Sequence, residues 1–492
     1  MIPSTRQQTV YDTWRNTDSN ILIQAVAGSG KTSTLLQLLS MCDSRTLFLA
    51  FNKGIQEEIQ ARITEKGLAQ GKALTLHSMG LSAIRNNTKF RIDNRKNLSI
   101  VKLLQEKNRT IFNNLTWEKK LRMSFTLSDF NDVSRIYMTD DIVQIMDYMA
   151  NMDKGFFETD WLEDMWEQFI EVREEFMEEN NKVIDFIDMI YLPLKLDYEI
   201  PVYCTYLMID EAQDLNYAQH LLIDKLISQG TIRRFIAVGD TRQSIYGFSG
   251  SYASSFQRFK DKENTVELPL DICYRCPTAV VDSANEIYNV MSAHKTYRGT
   301  VKTITDGLSV KESSMVICRN STPLLNLYFE LLGAGRKVFL KGEDILPLIK
   351  NFLKPYAYKS VSYAKAKMEE EFITLEENKF SSDKDRMKYY WFKQQYENTL
   401  LLVNKLCSPG SSVQDLLTKL DTVFSSTPDE NAVTLCTIHK SKGLEANVVY
   451  ILNEYLIPSK FASSDSQLQQ EKNLKYVART RAKEELYFLN IM

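Results

Sequence analysis

Ala27-Gly28-Ser29-Gly30-Lys31-Thr32 is a stretch built to hold phosphate. Glycines let backbone N–H groups approach an anion, and a helix opening at Lys31 adds its positive end. In such a loop Lys31 is expected on the β- and γ-phosphates of a nucleotide, and the Thr32 hydroxyl on Mg²⁺. The loop departs from the full eight-residue pattern, because Gln24 or Ala25 stands where a first glycine is expected. Far along the chain, Leu207-Met208-Ile209-Asp210-Glu211 ends an apolar run in two carboxylates. Delivered to the C-terminal edge of a sheet, Asp210 is expected to hold Mg²⁺ and Glu211 to orient and deprotonate an attacking water. Either motif alone also reads as an ordinary turn or a capped helix start. Together they predict a nucleoside triphosphatase.

Residues so far apart need a scaffold that brings them together. Ile21–Val26 reads as a buried strand, Lys31–Leu39 as a helix, Thr46–Phe51 as a strand and Ile55–Ile63 as a helix. This βαβ rhythm implies a mostly parallel sheet with helices on its faces. Strand-like runs return at Tyr206–Ile209, Phe235–Val238, Met315–Cys318, Val433–Cys436 and Val448–Leu452, before a final helix and strand. Long charged helices occupy the intervals. The acidic run Glu171–Glu179 in the first interval reads as a solvated helix face. The alternation predicts an α/β fold of two parallel-sheet domains, each interrupted by a mainly helical insertion. The first domain is expected over 1–85 and 196–265, with its insertion over 86–195. The second is expected over 266–344 and 426–492, with a short insertion over 345–425.

The chain has 492 residues, so more than one hydrophobic core is expected. A net charge of −3 supplies no global basic field, so any nucleic-acid contact must come from local basic residues. The start of the sequence lacks the build of a secretion signal, and no apolar run reaches the length of a membrane span. An intracellular protein, cytoplasmic or nucleoid-associated, is expected. Seven cysteines are scattered, and Cys273 and Cys276 form the one CxxC, a weak metal signal without a second pair.

Further motifs appear in order. Asp210-Glu211-Ala212-Gln213-Asp214, Val238-Gly239-Asp240-Thr241-Arg242-Gln243-Ser244-Ile245-Tyr246-Gly247-Phe248, Leu268-Pro269-Leu270 through Tyr274-Arg275, Thr437 through Glu445, and Tyr476 through Ala482 resemble the second to sixth motifs of UvrD/Rep-like superfamily 1 helicases. The resemblance covers most of the chain and implies two RecA-like domains. It implies Gln243 at the γ-phosphate, Tyr274 stacked on adenine, Gln7 reading its edge and Glu445 on the ribose. Gln8 adjoins Gln7 and is the alternative reader. Arg275 and Arg481 would bring positive charge to the transferred phosphate, a contribution worth roughly 10³–10⁵ in rate in other NTPases. The expected catalytic set is therefore Lys31, Glu211, Gln243, Arg275 and Arg481, with Ala27 to Thr32 cradling ATP. Tyr246 and Phe248 are the expected stacking platforms for bases, joined by Phe51, Asn52 and His77 in the first domain and by Thr437, His439 and Lys442 in the second. The segment Asp185-Phe186-Ile187-Asp188-Met189 is similar to one preceding the second motif in relatives, and an amphipathic helix explains it almost as well.

Three positions depart from the family pattern: Ser33 for an adenine-stacking arginine, Ser249 for an arginine, and Arg479 for a smaller residue. The function implied is ATP-dependent translocation on single-stranded DNA, with unwinding of tailed or forked duplexes and 3′ to 5′ polarity. Two alternatives stay open: a translocase that remodels protein–DNA complexes without productive unwinding, and a nucleotide-gated DNA-binding subunit of a larger replication, repair or defence assembly.

Overall fold

The computed structural model describes residues 3–151, 161–179, 183–245, 247, 254–342, 345–379, 383–408, 410–424, 429–460 and 462–491. The chain divides into two units, Met1–Asp271 and Ile272–Met492.

In the first unit, β1 (Asn20–Ala25), β2 (Thr46–Ala50), β3 (Gly71–Thr75), β4 (Tyr206–Ile209), β5 (Arg234–Gly239) and β6 (Thr265–Leu270) form one sheet in the order β3-β2-β4-β5-β1-β6. Every pairing is parallel. The central strands are apolar along their length because helices cover both faces. Alternation within β1 shows this directly. Ile21 and Ile23 pack with Val10, Trp14 and Leu35 on one side, whereas Leu22 packs with Leu47, Met79 and Leu222 on the other. The strand β6 extends this sheet past the boundary expected at residue 265.

Between β3 and β4 the helices Lys96–Lys107, Trp117–Tyr137 and Leu162–Glu179 enclose a core of their own around Phe130, Trp166 and Phe169. A buried ion network ties these helices to the base of the unit. Arg135, 1% exposed, donates to Asp185 at 2.7 and 2.8 Å and to Asp188 at 2.9 Å, while Lys96 Nζ lies 2.6 Å from the other Asp188 oxygen. Asp185 and Asp188 also accept each other's backbone N–H, at 2.9 and 3.0 Å. The motif-like segment at 185–189 thus opens the helix Asp188–Lys195 with its two carboxylates buried in an ion network and Phe186 left exposed, which an amphipathic helix alone does not describe. The acidic run lies on Leu162–Glu179, whose Trp166, Phe169 and Val172 are buried while Glu171 and Glu178 are exposed.

The second unit repeats the architecture. Its strands are β7 (Thr300–Ile304), β8 (Met315–Cys318), β9 (Val338–Leu340), β10 (Val433–Thr437), β11 (Ala446–Leu452) and β12 (Ala482–Leu489). They form a parallel sheet in the order β7-β12-β11-β8-β10-β9. The helices Ile345–Leu353, Val361–Asn378, Asp383–Leu406 and Val413–Phe424 lie between β9 and β10 in sequence. They differ from the helices of the first unit in having no separate core: Leu353, Met368, Leu402 and Leu416 share one apolar cluster with Val316, Leu435 and Tyr450 of the sheet. Among the described residues no helix is long and apolar enough to cross a membrane.

Candidate functional site

All strands of the first sheet run the same way, so their C-terminal ends share one edge, where loops can converge on a ligand. The loop after β1 turns through two left-handed glycines, Gly28 (φ 69°) and Gly30 (φ 79°), before the helix Lys31–Leu39 begins. A side chain at either would strain this cradle. Ser29 is 1% exposed, and among the described residues its hydroxyl has no hydrogen-bond partner. A buried hydroxyl with an unspent donor suits an anion. Gln7 closes the loop from the N-terminal helix: its side-chain amide donates to Thr34 Oγ1 at 3.1 Å, and Gln7 Nε2 would lie 3.5 Å from a Cβ on Gly30. Gln8 instead pairs with Asp12 at 2.7 Å, so Gln7 is the glutamine beside the loop.

The carboxylates meet the loop across the sheet edge. Lys31 Nζ donates to both oxygens of Glu211, at 2.9 and 2.8 Å, and Thr32 Oγ1 lies 3.4 Å from Asp210 Oδ2. Glu211 adopts φ 51°, a left-handed conformation uncommon for a side chain of its size. Burial pushes the Asp210 carboxyl up to about 6, and the Glu211 charge adds to it against the opposing pull of Lys31. Burial alone would lower the Lys31 pKa, but Glu211, Asp210 and Asp240 together leave it raised. A buried carboxylate with a hydroxyl beside it and a second carboxylate adjacent is a hard-oxygen set that fits Mg²⁺.

A hydrogen-bond chain leads away from this centre. Gln213 Nε2 donates to Glu211 Oε2 at 2.7 Å, Gln213 Oε1 accepts from Asp240 N at 3.0 Å, and Gln243 Nε2 donates to Asp240 Oδ2 at 2.8 Å. A Cβ on Gly239 would lie 2.4 Å from Gln213 Oε1, so any larger residue there would displace this acceptor from Asp240 N. Arg242 fixes the turn by bonding Asp240 Oδ1 at 2.8 Å and Ala25 O at 3.0 Å. The chain ends three residues before Tyr246. Tyr246 and Phe248, the expected platforms, lie outside the described residues.

The other expected first-unit contacts sit on the same sheet edge. Phe51 follows β2, and Asn52 caps the next helix by accepting from Ile55 N at 2.9 Å. His77 lies in the first turn after β3 and stacks on Phe186, with ring centres 3.8 Å apart and planes 19° from parallel. Burial lowers the His77 pKa to about 4, so its ring is neutral near pH 7. Phe186 is 55% exposed, an aromatic face that local sequence could not single out because exposure is set by distant packing.

In the second unit, a turn bracketed by Cys273 and Cys276 presents Tyr274 and Arg275. Cys276 N donates to Cys273 Sγ at 3.4 Å, and among the described residues no group of three or more His, Cys, Asp or Glu side chains is placed to hold a metal, here or elsewhere. Arg275 Nε lies 2.6 Å from Glu445 Oε2 and its Nη1 donates to Thr480 O at 3.2 Å. Glu445 also meets Lys483 at 2.6 Å, and these cations outweigh its burial to hold its pKa below the usual range. Arg481, 1% exposed, donates to Val477 O at 2.9 Å, Thr480 Oγ1 at 3.1 Å and Leu444 O at 3.4 Å. The sequence motifs holding Arg275, Glu445 and Arg481 are therefore neighbours in space. Tyr274 packs against His294, ring centres 4.6 Å apart. Thr437 ends β10 and His439 lies just beyond it, and burial, with Arg319 and Lys442 nearby, lowers the His439 pKa to about 3. Arg479 is absorbed structurally: it bonds both oxygens of Glu454, at 2.8 and 3.0 Å, and pairs with Glu286.

A model of the UvrD/REP helicase N-terminal domain matches residues 5–264, more than half of the chain. The chain belongs to the UvrD/REP helicase family. A UvrD-like helicase C-terminal domain model matches residues 432–489 of this UvrD/REP-family helicase. It is 23% identical to the ATP-dependent DNA helicase Rep of Buchnera aphidicola subsp. Schizaphis graminum, over 95% of this chain and 90% of that one. It is 27% identical to the ATP-dependent DNA helicase PcrA of Leuconostoc citreum over 56% of this chain, a match spanning 38% of the PcrA length. The F-box DNA helicase protein 1 of Schizosaccharomyces pombe is 23% identical over 98% of this chain and 57% of its own. The two RecA-like sheets of this UvrD/REP-family chain accord with these matches.

Proposed function

We propose that this chain is an ATP-driven translocase on single-stranded DNA that unwinds tailed duplexes with 3′ to 5′ polarity. The observation that carries the reading is the hydrogen-bond chain from Lys31 and Glu211 through Gln213 and Asp240 to Gln243. It links the residues suited to hydrolysis with the segment holding Tyr246 and Phe248. A change in the occupancy of Lys31 alters what Glu211 bonds, and the change passes along paired groups to the strand-facing segment.

In this reading Lys31 leaves Glu211 for the nucleotide phosphates, which frees Glu211 to orient and deprotonate water. Thr32 and Asp210 hold Mg²⁺, which neutralises phosphate charge when bound. Gln7 borders the adenine end, with Tyr274 stacking on the base and Glu445 on the ribose. Arg275 and Arg481 supply positive charge to the transferred group from the second unit, so the nucleotide is shared between units and its turnover opens and closes them. Phe51, Asn52, His77 and Phe186 hold the strand on one unit, with Thr437, His439 and Lys442 on the other. The helices over 86–195 and 345–425 act as insertions on the two motor domains.

The test is the ATPase rate with and without single-stranded DNA, followed by unwinding of duplexes carrying a 3′ or a 5′ tail. DNA-stimulated turnover with unwinding of the 3′-tailed substrate is expected. Stimulated turnover that displaces bound protein but unwinds neither substrate would replace this reading with a remodelling translocase. Turnover indifferent to DNA would reduce the chain to a nucleotide-gated binding subunit.

A further inference from the structure

We propose that residues 354–365 form a second contact for single-stranded nucleic acid, with Tyr358 stacking on a base and Lys354, Lys359 and Lys365 meeting phosphates. The inference rests on the reading that this chain works on DNA, and adds a binding surface outside the motor motifs.

Sequence and structure point to it independently. Residues 345–368 contain five lysines and neither Asp nor Glu, in a chain with 63 acidic residues. Two of those lysines are engaged, Lys350 with Asp421 and Lys367 with Glu370. Lys354, Lys359 and Lys365 are exposed and form no ion pair among the described residues. Uncompensated lysines along one short surface segment are the electrostatic footprint of a polyanion partner.

Tyr358 supplies the second observation. It is 99% exposed, so its ring lies wholly in water and contributes nothing to the core. The turn that carries it is nonetheless fixed: Lys359 N donates to Tyr356 O at 2.9 Å, and Val413 N donates to Lys359 O at 3.0 Å. Tyr363 is 47% exposed in the first turn of the following helix, with Lys359 Nζ 5.5 Å from its ring centre. Aromatic rings offered between cations suit unpaired bases, each of which has an open face for stacking. A duplex offers phosphates but keeps its base faces stacked. A protein partner would need an apolar centre, whereas Lys354, Lys359, Ser360 and Ser362 around Tyr358 are exposed and polar. Glu369, Glu370 and Glu371 follow on the same helix and limit the patch on that side.

Fluorescence anisotropy of the full chain with labelled oligothymidylates tests this, using one oligomer of about 10 and one of about 40 nucleotides, spanning the usual site sizes. Tyr358→Ala is expected to weaken binding of the longer oligomer about fivefold or more, while Tyr358→Phe retains it. Lys354→Ala, Lys359→Ala and Lys365→Ala together are expected to lower the salt slope by roughly 2, at about 0.7 per phosphate lost. ATPase activity without DNA stays unchanged in every variant. Unchanged affinity and slope on the longer oligomer would overturn the inference alone. An equal loss from Tyr358→Ala on a blunt duplex would also overturn it, by removing the stack. Failure of the unaltered chain to bind any oligonucleotide overturns the proposed function as well.

Discussion

Asp210 shows what a single residue contributes before any ligand arrives. Its carboxyl is raised to about 6 by burial and by the Glu211 charge, so the fold favours its protonated form. A carboxyl whose pKa is raised on folding stabilises the native state below its unfolded pKa near 3.9, and that stabilisation is lost as pH rises through 6. At pH 8 the anion therefore burdens the nucleotide-free protein. Asp210→Asn should raise stability at pH 8 without metal by about 1–3 kcal/mol. The gain should shrink steadily as pH falls from 6 to 4, and thermal melts across that range in a chelating buffer check it. Nucleotide hydrolysis should be lost in the same variant, the usual relation between a strained site and its function. A gain that is flat with pH would assign the effect to packing.

At the scale of elements, the residues proposed to face the strand depend on how closely helices cross. A Cβ on Gly80 would lie 1.9 Å from the Met189 carbonyl oxygen, so the helices Leu76–Asn87 and Asp188–Lys195 touch through backbone. Gly80→Ala should cost about 1–3 kcal/mol or more through overpacking. Because His77 and Phe186 sit on the two sides of that crossing, single-strand affinity should fall with it, measurable by urea unfolding beside oligonucleotide binding. The ion network next to it gives a separate prediction. Arg135→Ala leaves Asp185 and the fully buried Asp188 without their main cation and should cost about 3–5 kcal/mol in the same unfolding measurement. These features mark where sequence reading ends. The strands β1, β4 and β8 were legible because burial on both faces writes continuous apolar runs such as Tyr206–Ile209. The turn at Gly28 to Lys31 was legible because few residues other than glycine adopt its backbone. Exposure of Phe186 and the pairing of Arg135 with Asp185 across 50 residues were not legible, since each depends on packing between distant segments. The same limit hid the fact that the helices over 345–425 share the sheet's core while those between β3 and β4 keep their own.

At the scale of the whole molecule, charge bears on the proposal that one nucleotide is shared by both units. Around the loop of the first unit, Lys31 faces Glu211, Asp210 and Asp240, and Arg242 is spent on Asp240. Even with a divalent cation bound, little positive charge remains for the charge that develops on a transferred phosphoryl group. The second unit carries the opposite imbalance, with Arg275 and Lys483 on the single carboxylate of Glu445 and Arg481 beside them, bonded to the Leu444 carbonyl. Under the proposed function this division would suit a motor, because full transition-state stabilisation would then require both units to engage the nucleotide. Arg275→Ala should therefore leave ATP affinity within a few-fold while lowering DNA-stimulated kcat by roughly 10³. Arg275→Lys should recover little, since a point charge does not reproduce the planar donor set of a guanidinium. The loss of an ion pair with Glu445 is a competing structural explanation, and it makes a different forecast. If the pair only holds the turn, Arg275→Lys restores both melting temperature and kcat, and Glu445→Gln lowers kcat as severely as Arg275→Ala. Stopped-flow binding of a fluorescent ATP analogue, steady-state turnover and a melt of each variant distinguish the two.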